Sequence, residues 1–349
     1  MTRLEPNLEH VSGPAPRLCV IPGDGIGQEV IPAAVAVLKQ VLPDLETVQA
    51  EAGWDCFLKH GISVPAATLD AIRQCGAALF GAVSSPARKV EGYRSAIITM
   101  RQGLNLYANI RPVWSLPQVS PRPDVNMIIV RENTEGLYAG REHMEGDAAI
   151  AERVITPQAS YRIAAKAIDL ALSLGRRHLT IVHKANILPL TDGLFRDTVR
   201  KAVADSGAAI TVDELLVDVA ALKIASQPET FDLIVTTNLF GDILSDEASH
   251  WMGGLGFAPS LNFGDGVALA EPVHGSAPDI AGKKIANPMA AILSAALLVR
   301  HAWQMPDKAT AMEQAVVAAL KAGFGLPDAQ TGRYSSTESI LQAVINQLQ

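Results

Sequence analysis

The sequence lacks the features that mark several classes of protein. Its 349 residues include three cysteines, Cys19, Cys56 and Cys75, whose unrelated spacing makes neither a disulfide framework nor a zinc site. No apolar run approaches the roughly 18 residues that a membrane span needs. Residues 1–16 have no apolar segment of the kind found in signal peptides, and we expect a loose tail there. These absences favour a reducing, cytoplasmic environment.

Positive charge is scarce as well. The chain has 29 lysines and arginines against 36 aspartates and glutamates, a formal net charge of −7. This balance gives no electrostatic footprint for nucleic acid or for an anionic membrane, and we expect neither as a partner. Hydrophobic residues make up 48% and charged residues 19%, as in an ordinary globular protein. The length is sufficient for two domains with substantial cores.

Strand-like and helix-like segments alternate along almost the whole chain. The runs typical of strands cover residues 18–21, 77–83, 125–130, 179–182 and 231–237. The runs typical of helices cover residues 30–41, 159–174, 192–204, 289–302, 309–321 and 337–348. This alternation predicts an α/β fold with a largely parallel, open sheet. No linker of low complexity interrupts it, which indicates domains joined by crossing strands.

A glycine-rich turn follows the first strand and precedes the first helix. It reads PGDGIG over residues 22–27. The dinucleotide-binding fingerprint requires a glycine where Gln28 stands, and an acidic residue about 20 positions further on, which is missing here. The sequence therefore argues against a Rossmann fold. The glycines either form a tight turn or let the backbone approach a ligand closely.

Two aspartates follow the strand at residues 231–237. If a helix begins at Asn238, Asp242 and Asp246 lie one turn apart on the same face. Like charges on adjacent turns repel each other. A hard divalent cation such as Mg2+ or Mn2+ would offset that repulsion, because these ions prefer oxygen ligands. The alternative is a solvated helix start whose acids interact with the helix dipole.

Arginines are concentrated in the middle of the chain, at Arg88, Arg101, Arg111 and Arg131. Arg111 and Arg131 flank apolar, strand-like segments, where an unpaired guanidinium group is costly. Because guanidinium groups bind carboxylates in a bidentate manner, a convergent set predicts a substrate with more than one carboxylate. Surface salt bridges would explain any one of these arginines alone.

Three further positions have the residue types of an active site. Lys184 follows a strand, and Tyr138 follows the strand that ends near Arg131. Either side chain can act as an acid or base near neutrality once its surroundings shift its pKa. Asp279 lies in a polar loop, residues 271–282, where it would pair with ribose hydroxyls and repel a ribose phosphate, so that NAD would be preferred to NADP. Ordinary strand ends and a surface loop are the alternatives.

Six motifs together resemble the β-decarboxylating dehydrogenases of 2-hydroxy acids, the family of the isocitrate, 3-isopropylmalate, homoisocitrate and D-malate dehydrogenases. They are, in chain order, IPGDGIG, NIRP, RENTEGLY, HKAN, TTNLFGDILSD and EPVHGSAPDIAGKKIANP. The resemblance extends from about Arg17 to the C-terminus. It implies the two-domain, open-sheet fold of that family. A large NAD-binding domain would consist of residues 17–107 and 258–349, and residues 108–257 would form a small domain for dimerisation, substrate and metal.

The resemblance also implies roles for individual residues, with NAD and Mg2+ or Mn2+ as cofactors. Asp242 and Asp246 of one subunit would bind the metal, together with Asp218 of the partner subunit. Tyr138 would be the catalytic acid, and Lys184 of the partner subunit would be the catalytic base. The substrate-binding residues would be Ser85, Arg88, Arg101, Arg111, Arg131 and Asn186. The cofactor-binding residues would be Glu271, His274, Gly275, Ser276, Ala277, Asp279 and Asn287.

The segment before Arg101 bears on the choice of substrate. Residues 85–96 read SPARKVEGYRSA, which is most similar to the homoisocitrate dehydrogenases. Arg88 would then meet the distal carboxylate of a tricarboxylic substrate. A charged hydrogen bond contributes roughly 1.5–3 kcal/mol, so such a substrate would be selected over one with an apolar side group.

We therefore expect the oxidative decarboxylation of homoisocitrate to 2-oxoadipate and CO2, as in lysine biosynthesis through α-aminoadipate. Isocitrate, which is one methylene shorter, and 3-isopropylmalate stay open as alternative substrates. A non-catalytic regulatory subunit is disfavoured because the chain keeps Tyr138, Lys184 and all three aspartates. We expect a homodimer with shared active sites, and whether two dimers form a tetramer stays open.

Overall fold

The computed structural model describes residues 15–88, 90–327, 332 and 335–348. The expected tail at residues 1–16 therefore lies almost entirely outside the described residues. Within them there are twelve strands and eleven α-helices. The strands are β1 (Arg17–Gly23), β2 (Glu46–Gln49), β3 (Ala77–Ala82), β4 (Ala108–Trp114), β5 (Asn126–Glu132), β6 (Glu142–Glu145), β7 (Ala148–Ala151), β8 (His178–His183), β9 (Thr211–Leu216), β10 (Leu233–Thr236), β11 (Pro259–Gly264) and β12 (Val267–Pro272).

The helices follow the strands in the expected alternation. They are α1 (Gly27–Val41), α2 (Trp54–His60), α3 (Ala66–Cys75), α4 (Ala96–Gly103), α5 (Pro157–Ser173), α6 (Thr191–Ser206), α7 (Val217–Ser226), α8 (Asn238–Ala248), α9 (Met289–Leu297), α10 (Pro306–Lys321) and α11 (Thr337–Ile345). Each predicted strand and helix coincides with one of these elements, which confirms the α/β class. Several boundaries differ by a few residues, and the helix predicted over residues 289–302 changes type, because α9 ends at Leu297 and the chain continues as a π-helical turn, Leu298–Ala302.

Ten of the described strands form one continuous sheet in the order β2-β1-β3-β12-β11-β4-β5-β10-β8-β9. The outer pairs on both sides are parallel. The three central pairs, β12–β11, β11–β4 and β4–β5, are antiparallel. The prediction of a largely parallel sheet is thus confirmed, and the antiparallel pairs are confined to the centre. The connections explain the difference, because β11 and β12 form a tight hairpin and no helix crosses over between β4 and β5.

The expected domain boundary falls at the middle of this sheet. Strands β2, β1, β3, β12 and β11 belong to the residues expected in the large domain, and the remaining five belong to residues 108–257. The boundary is therefore the β11–β4 pair, where two strands are joined by antiparallel ladder contacts. The division into two domains stays a prediction.

Strand register places several polar side chains on one face of the central strands. Asn109 of β4 lies opposite Arg131 of β5 and opposite Asn262 of β11. Ser260 of β11 lies opposite Glu271 of β12. Residues that lie opposite each other in a sheet share a face, and so do residues two apart in one strand. All of these polar side chains therefore face the same side of the sheet.

The other face of the central strands is apolar and is covered by helices. Ile110 and Val130 are buried there with Ile163 of α5 and Phe195 of α6. Helix α5 begins at the cap residue Thr156, whose side chain accepts a hydrogen bond from the backbone N–H of the third helical residue. Burial of each large side chain of this layer contributes roughly 1.5–3 kcal/mol, so this face fixes the strands on which the polar face depends. Among the helices of the described residues, none is long and apolar enough to cross a membrane.

Candidate active site

Arg111 occupies the polar face of β4 and reaches α8. Its Nε donates to Oδ1 of Asn109 at 2.8 Å. One terminal nitrogen donates to the Ser245 hydroxyl at 2.7 Å and to Oδ1 of Asp246 at 2.8 Å, and the other lies 3.4 Å from Oδ1 of Asp242. The side chain is 7% exposed, so its charge is compensated almost entirely by the aspartates of α8.

Arg131, on the neighbouring strand β5, contacts the same helix and is 1% exposed. One terminal nitrogen donates to Oδ1 of Asp242 at 2.5 Å. Its Nε and its other terminal nitrogen donate to Oδ1 of Asn238 at 3.0 and 2.7 Å. Its guanidinium group lies 5.1 Å from the ring centroid of Tyr138, whose hydroxyl donates to Oδ2 of Asp242 at 2.5 Å. The structure thus brings Arg111, Arg131, Tyr138 and the two aspartates together, as the sequence predicts.

A glycine in α8 makes this contact with β5 feasible. A Cβ atom at Gly241 would lie 2.6 Å from Cγ and 2.7 Å from Cβ of Arg131. Real Cβ atoms do not approach other carbon atoms so closely. The helix can therefore lie directly over the arginine stem because residue 241 has no side chain.

The charges in this cluster set the pKa values of its members. Burial alone would raise the pKa of Asp242, but the guanidinium groups of Arg131 and Arg111 outweigh it and lower that pKa. The pKa of Asp246 is raised, because burial there exceeds the effect of Arg111. Burial, followed by the hydrogen bond to Asp242, raises the pKa of Tyr138, so its hydroxyl keeps its proton at neutral pH. Burial lowers the pKa of Arg131 to about 10, which still leaves it cationic.

The two aspartates have the chemistry of a divalent metal site. Asp242 and Asp246 present carboxylates on successive turns of α8, and their side chains are 31% and 53% exposed. A hard cation such as Mg2+ takes one or two carboxylates together with water and substrate oxygens. The donor set therefore fits the predicted metal.

Arg101 approaches the site from the other half of the sheet. Its terminal nitrogen donates to Oε1 of Glu271 at 3.1 Å, and both side chains are less than 10% exposed. Asn262 donates to the same oxygen at 2.9 Å. The expected loop at residues 271–282 therefore begins later than predicted, because Glu271 belongs to strand β12. Nε of Arg101 is buried and has no partner among the described residues.

The predicted cofactor loop packs on the glycine-rich turn that follows β1. The backbone N–H of Ile26 donates to the carbonyl oxygen of Ser276 at 2.9 Å. A Cβ atom at Gly25 would lie 2.1 Å from that oxygen. The left-handed backbone of Gly23 and Gly25, with φ of 72° and 57°, supports the tight turn. The close approach seen here is to Ser276 of the same chain rather than to a ligand.

The other cofactor candidates follow Ser276 or lie beside it. His274 has its Nδ1 3.0 Å from the Gly275 carbonyl oxygen, while its buried Nε2 has no partner among the described residues. Ala277 has a positive φ of 39°, which turns the loop toward the exposed Asp279. The side chain of Asn287 accepts the backbone N–H of Met289 at 3.0 Å, at the first residue of α9.

Lys184 and Asp218 lie apart from this cluster in one chain. Nζ of Lys184 contacts Oδ1 of Asp218, and this hydrogen bond lowers the pKa of Asp218. Within the described part of the chain, the carboxylate oxygens of Asp218, Asp242 and Asp246 do not all lie within 4.8 Å of one another. A single chain therefore does not bring the third predicted metal ligand to the other two.

The predicted specificity segment is open to solvent. Ser85 and Arg88 are exposed, and residues 85–88 and 90–93 line an open cavity of about 640 Å³. Asn186 is also exposed. In the described residues, no hydrogen bond joins any of these three side chains to Arg101, Arg111 or Arg131.

Sequence reasoning missed several residues that build the site. Asn238 binds two nitrogens of Arg131, and its position directly after β10 was the available signal. Asp192, 0% exposed, accepts the backbone N–H of Lys184 at 2.7 Å and a nitrogen of Arg153 at 2.6 Å. No local pattern marks Asp192 in the sequence, because its partners come from distant segments.

A second set of potential metal ligands lies away from this site. Among the described residues there is one such group, and it consists of Glu51, Cys56 and His60. The spacing of the cysteines predicts no zinc site, and the fold places Cys56 beside Glu51 and His60. Both oxygens of Glu51 already bind, one to Lys59 and one to His60, each at 2.9 Å. The group is therefore a surface ion-pair cluster rather than a metal centre.

Comparison with known proteins agrees with this geometry. A family model described as isocitrate/isopropylmalate dehydrogenase matches residues 17–344. The chain is 52% identical over 332 residues to an isocitrate/homoisocitrate dehydrogenase of Thermus thermophilus, covering 95% of this chain and 98% of that protein. It is 48% identical over 294 residues to a homoisocitrate dehydrogenase of Methanocaldococcus jannaschii, covering 81% of this chain and 84% of that protein.

A solved structure shares the fold. The isocitrate dehydrogenase from Methylococcus capsulatus superposes with a TM-score of 0.90 at 41% identity, covering 95% of this chain and 99% of that chain. The match spans both halves of the sheet and the cluster between them. The chain therefore belongs to the isocitrate/isopropylmalate dehydrogenase family and is an oxidatively decarboxylating dehydrogenase.

Proposed function

We propose that this chain oxidises homoisocitrate with NAD and a divalent cation, giving 2-oxoadipate, CO2 and NADH, and that isocitrate is a second substrate. The observation that carries the reaction is the cluster of Arg111, Arg131, Tyr138, Asp242 and Asp246 on one face of the sheet. The choice of a tricarboxylic substrate depends on Arg88, whose exposed side chain borders an open cavity. The name of the Thermus thermophilus relative, an isocitrate/homoisocitrate dehydrogenase, supports this choice.

The arginines hold the substrate. Arg111 and Arg131 neutralise Asp242 and Asp246 in this structure. Once those aspartates act as metal ligands, the same guanidinium groups are free to bind the carboxylates of the substrate. Arg101, with its unpartnered Nε, supplies a third donor group. When bound, Mg2+ or Mn2+ polarises the oxygen at C2 and stabilises the negative charge that develops as CO2 leaves.

Tyr138 supplies the proton that completes the reaction. Loss of CO2 from the 2-oxo intermediate leaves an enolate, whose carbon must accept one proton before the product is released. The raised pKa of Tyr138 keeps its hydroxyl protonated at neutral pH. The tyrosine is therefore in the correct form to donate, and Lys184 of the partner subunit accepts the hydroxyl proton in the oxidation step.

The exposed carboxylate of Asp279 selects NAD. It is positioned beyond the turn at Ala277 to accept hydrogen bonds from the ribose hydroxyls of the adenosine moiety. A phosphate on the same ribose would be repelled. Replacement of Asp279 by lysine should shift kcat/KM toward NADP, with Asp265→Lys as the control on another exposed turn.

We further propose a homodimer that completes each active site, formed through α7 and α8. Helix α7 packs on α8, and their outer surface exposes large apolar side chains. Leu222 is 67% and Ile243 57% exposed, and such a patch favours a protein interface. In this arrangement Lys184 and Asp218 of one subunit reach the cluster of the other.

Subunit complementation tests the shared site. Lys184→Ala and Tyr138→Phe should each lose most activity. If each site combines residues from both subunits, mixed dimers carry one intact site, and remixing of the two variants should restore about a quarter of the wild-type activity. Absence of any recovery after verified subunit exchange would refute the shared site.

Substrate preference is tested by NADH production with homoisocitrate, isocitrate and 3-isopropylmalate in the presence of Mg2+. The Arg88→Val variant should lose about 10- to 100-fold in kcat/KM for the tricarboxylates. Arg17→Val, a charge removal at an exposed side chain whose ion pair is with the exposed Glu46, should change little. Preference for 3-isopropylmalate would refute the role of Arg88, and turnover of none of the three would favour a regulatory subunit.

A further inference from the structure

Ser84 lies at the junction of two segments that bind different ligands in the proposed function. It directly precedes the segment 85–93, which carries Arg88. Its hydroxyl lies 2.8 Å from the hydroxyl of Ser276 in the cofactor loop, 192 positions away in the sequence. We propose that the Ser84–Ser276 hydrogen bond couples the binding of NAD to the binding of the distal group of the substrate. Ser84 is then a positioning residue, and this inference rests on the proposed function.

A buried carboxylate fixes the backbone of Ser84. Asp24 is 2% exposed and accepts the N–H of Ser84 at 2.8 Å. It also accepts the N–H groups of Trp54 and Asp55, at 2.7 and 3.0 Å, which are the first two residues of α2. Asp24 thus caps α2 from a distant part of the chain and holds Ser84 at the same time. A displacement of Ser84 would have to break this arrangement.

The far end of the segment returns to the same helix. The ring of Tyr93 lies edge-to-face against the rings of Trp54 and Phe57, each at 5.2 Å. Its hydroxyl donates to the carbonyl oxygen of Ser84 at 3.3 Å. Both ends of the segment 85–93 are therefore fixed to α2 and to each other. Arg88 lies between these two anchored ends.

The cofactor side of the contact is equally well anchored. Ser276 is 7% exposed, and its carbonyl oxygen is held by the Ile26 N–H at 2.9 Å. With its backbone bound to the glycine-rich turn, its hydroxyl meets Ser84. Occupation of the cofactor loop and occupation of the cavity beside Arg88 therefore act on opposite ends of one hydrogen bond.

The size of the coupling follows from the kind of bond. A hydroxyl–hydroxyl bond between neutral groups contributes modestly, so its removal should reduce the coupling factor by about three- to tenfold rather than abolish binding. Reciprocity requires that the substrate change the affinity for the nucleotide by the same factor as the nucleotide changes the affinity for the substrate. A simple loss of local structure would weaken both binding steps without altering this factor.

The test is a double-mutant cycle on ligand coupling. Ser84→Ala and Ser276→Ala remove the hydroxyls and keep the Ser84 N–H for Asp24. The dissociation constant of NADH is measured by fluorescence with Mg2+, with and without saturating homoisocitrate, and the ratio is the coupling factor. Ser84→Thr keeps a hydroxyl and should retain the factor. Ser173→Ala is the matched control, since that hydroxyl bonds the Leu170 carbonyl oxygen at 2.9 Å, away from both ligands.

We expect each alanine variant to lower the coupling factor equally and the double variant to lower it no further. A wild-type factor of one, an unchanged factor in Ser84→Ala, or additive losses in the double variant would overturn the inference. Binding of NADH and substrate is measured without turnover. A wild-type protein that turns over none of the three 2-hydroxy acids would therefore count against the proposed function separately.

Discussion

Replacement of Asp24 by asparagine is the sharpest test of how the fold is held near the site. The carboxylate receives three backbone N–H groups, those of Trp54, Asp55 and Ser84. Asparagine keeps one acceptor oxygen, which can serve the two N–H groups that share Oδ2. Its amide group would face the N–H of Asp55, donor against donor.

The magnitude follows from these contacts. A hydrogen bond to a charged group contributes about 1.5–3 kcal/mol and a neutral one about 0.5–1.5 kcal/mol. Two weakened bonds and one buried N–H without a partner amount to a loss of about 3–5 kcal/mol, which is large against a typical stability of about 5–15 kcal/mol. Asparagine is nearly the same size as aspartate, so no cavity adds to this figure.

Urea denaturation, followed by tryptophan fluorescence and far-UV circular dichroism, would measure the change. Protein concentration must be held constant, because assembly shifts apparent stability. Asp55→Asn is the matched control, since it removes one charge from an exposed side chain at the same helix start. It should cost less than about 1 kcal/mol. If the free energies of unfolding of the two variants differ by less than about 1 kcal/mol, Asp24 does not hold α2 and Ser84 together.

Three further outcomes are expected. Burial, with repulsion from Arg300 and Lys166, lowers the pKa of His301 to about 4. Below about pH 6.5 the unfolded chain therefore binds a proton at His301 that the folded chain does not, and the free energy of unfolding falls as the pH falls from about 6.5 to about 4. Between pH 7 and pH 4.5, the His301→Phe variant should therefore lose about 2 kcal/mol less unfolding free energy than the wild type. Equal losses in the variant and the wild type would refute this. Gly241→Ala should raise the substrate KM about tenfold or more, because the added Cβ displaces Arg131. Gly256→Ala is the control and should leave KM unchanged, because no atom lies within 4 Å of its added Cβ. Asp192→Asn should lower kcat about 10- to 100-fold by loosening the backbone of Lys184, and Asp197→Asn on the exposed face of α6 should leave kcat unchanged.

Much of the fold could be predicted because its signals are local. The buried strand β3 and the amphipathic helix α5 show their periodicity in short windows. The placement of Asp242 and Asp246 on one helix follows from spacing alone, and the structure confirms that helix. The short hairpin β6–β7 could not be predicted, since three of the four residues in β7 and all of those in β6 are exposed and leave no alternating pattern.

The remaining features depend on which strands are neighbours. The pairing of Arg101 with Glu271 joins residues 170 positions apart, and nothing near either residue marks the other. The antiparallel centre of the sheet is likewise a property of the chain path, since β11 and β12 enter between β3 and β4. Residue types could therefore be assigned to a site from the sequence, but their partners within the site could not.

The pairing of Asp242 and Asp246 with two arginines bears on how the protein acquires its metal. Each carboxylate already has a cationic neighbour inside the same chain, so a metal-free molecule carries no uncompensated charge at this point. Under the proposed function, treatment with a chelator should therefore remove activity while leaving the melting temperature nearly unchanged. Under the same proposal, the cation and the substrate carboxylates would replace internal ion pairs, so that metal binding would not be a step in folding.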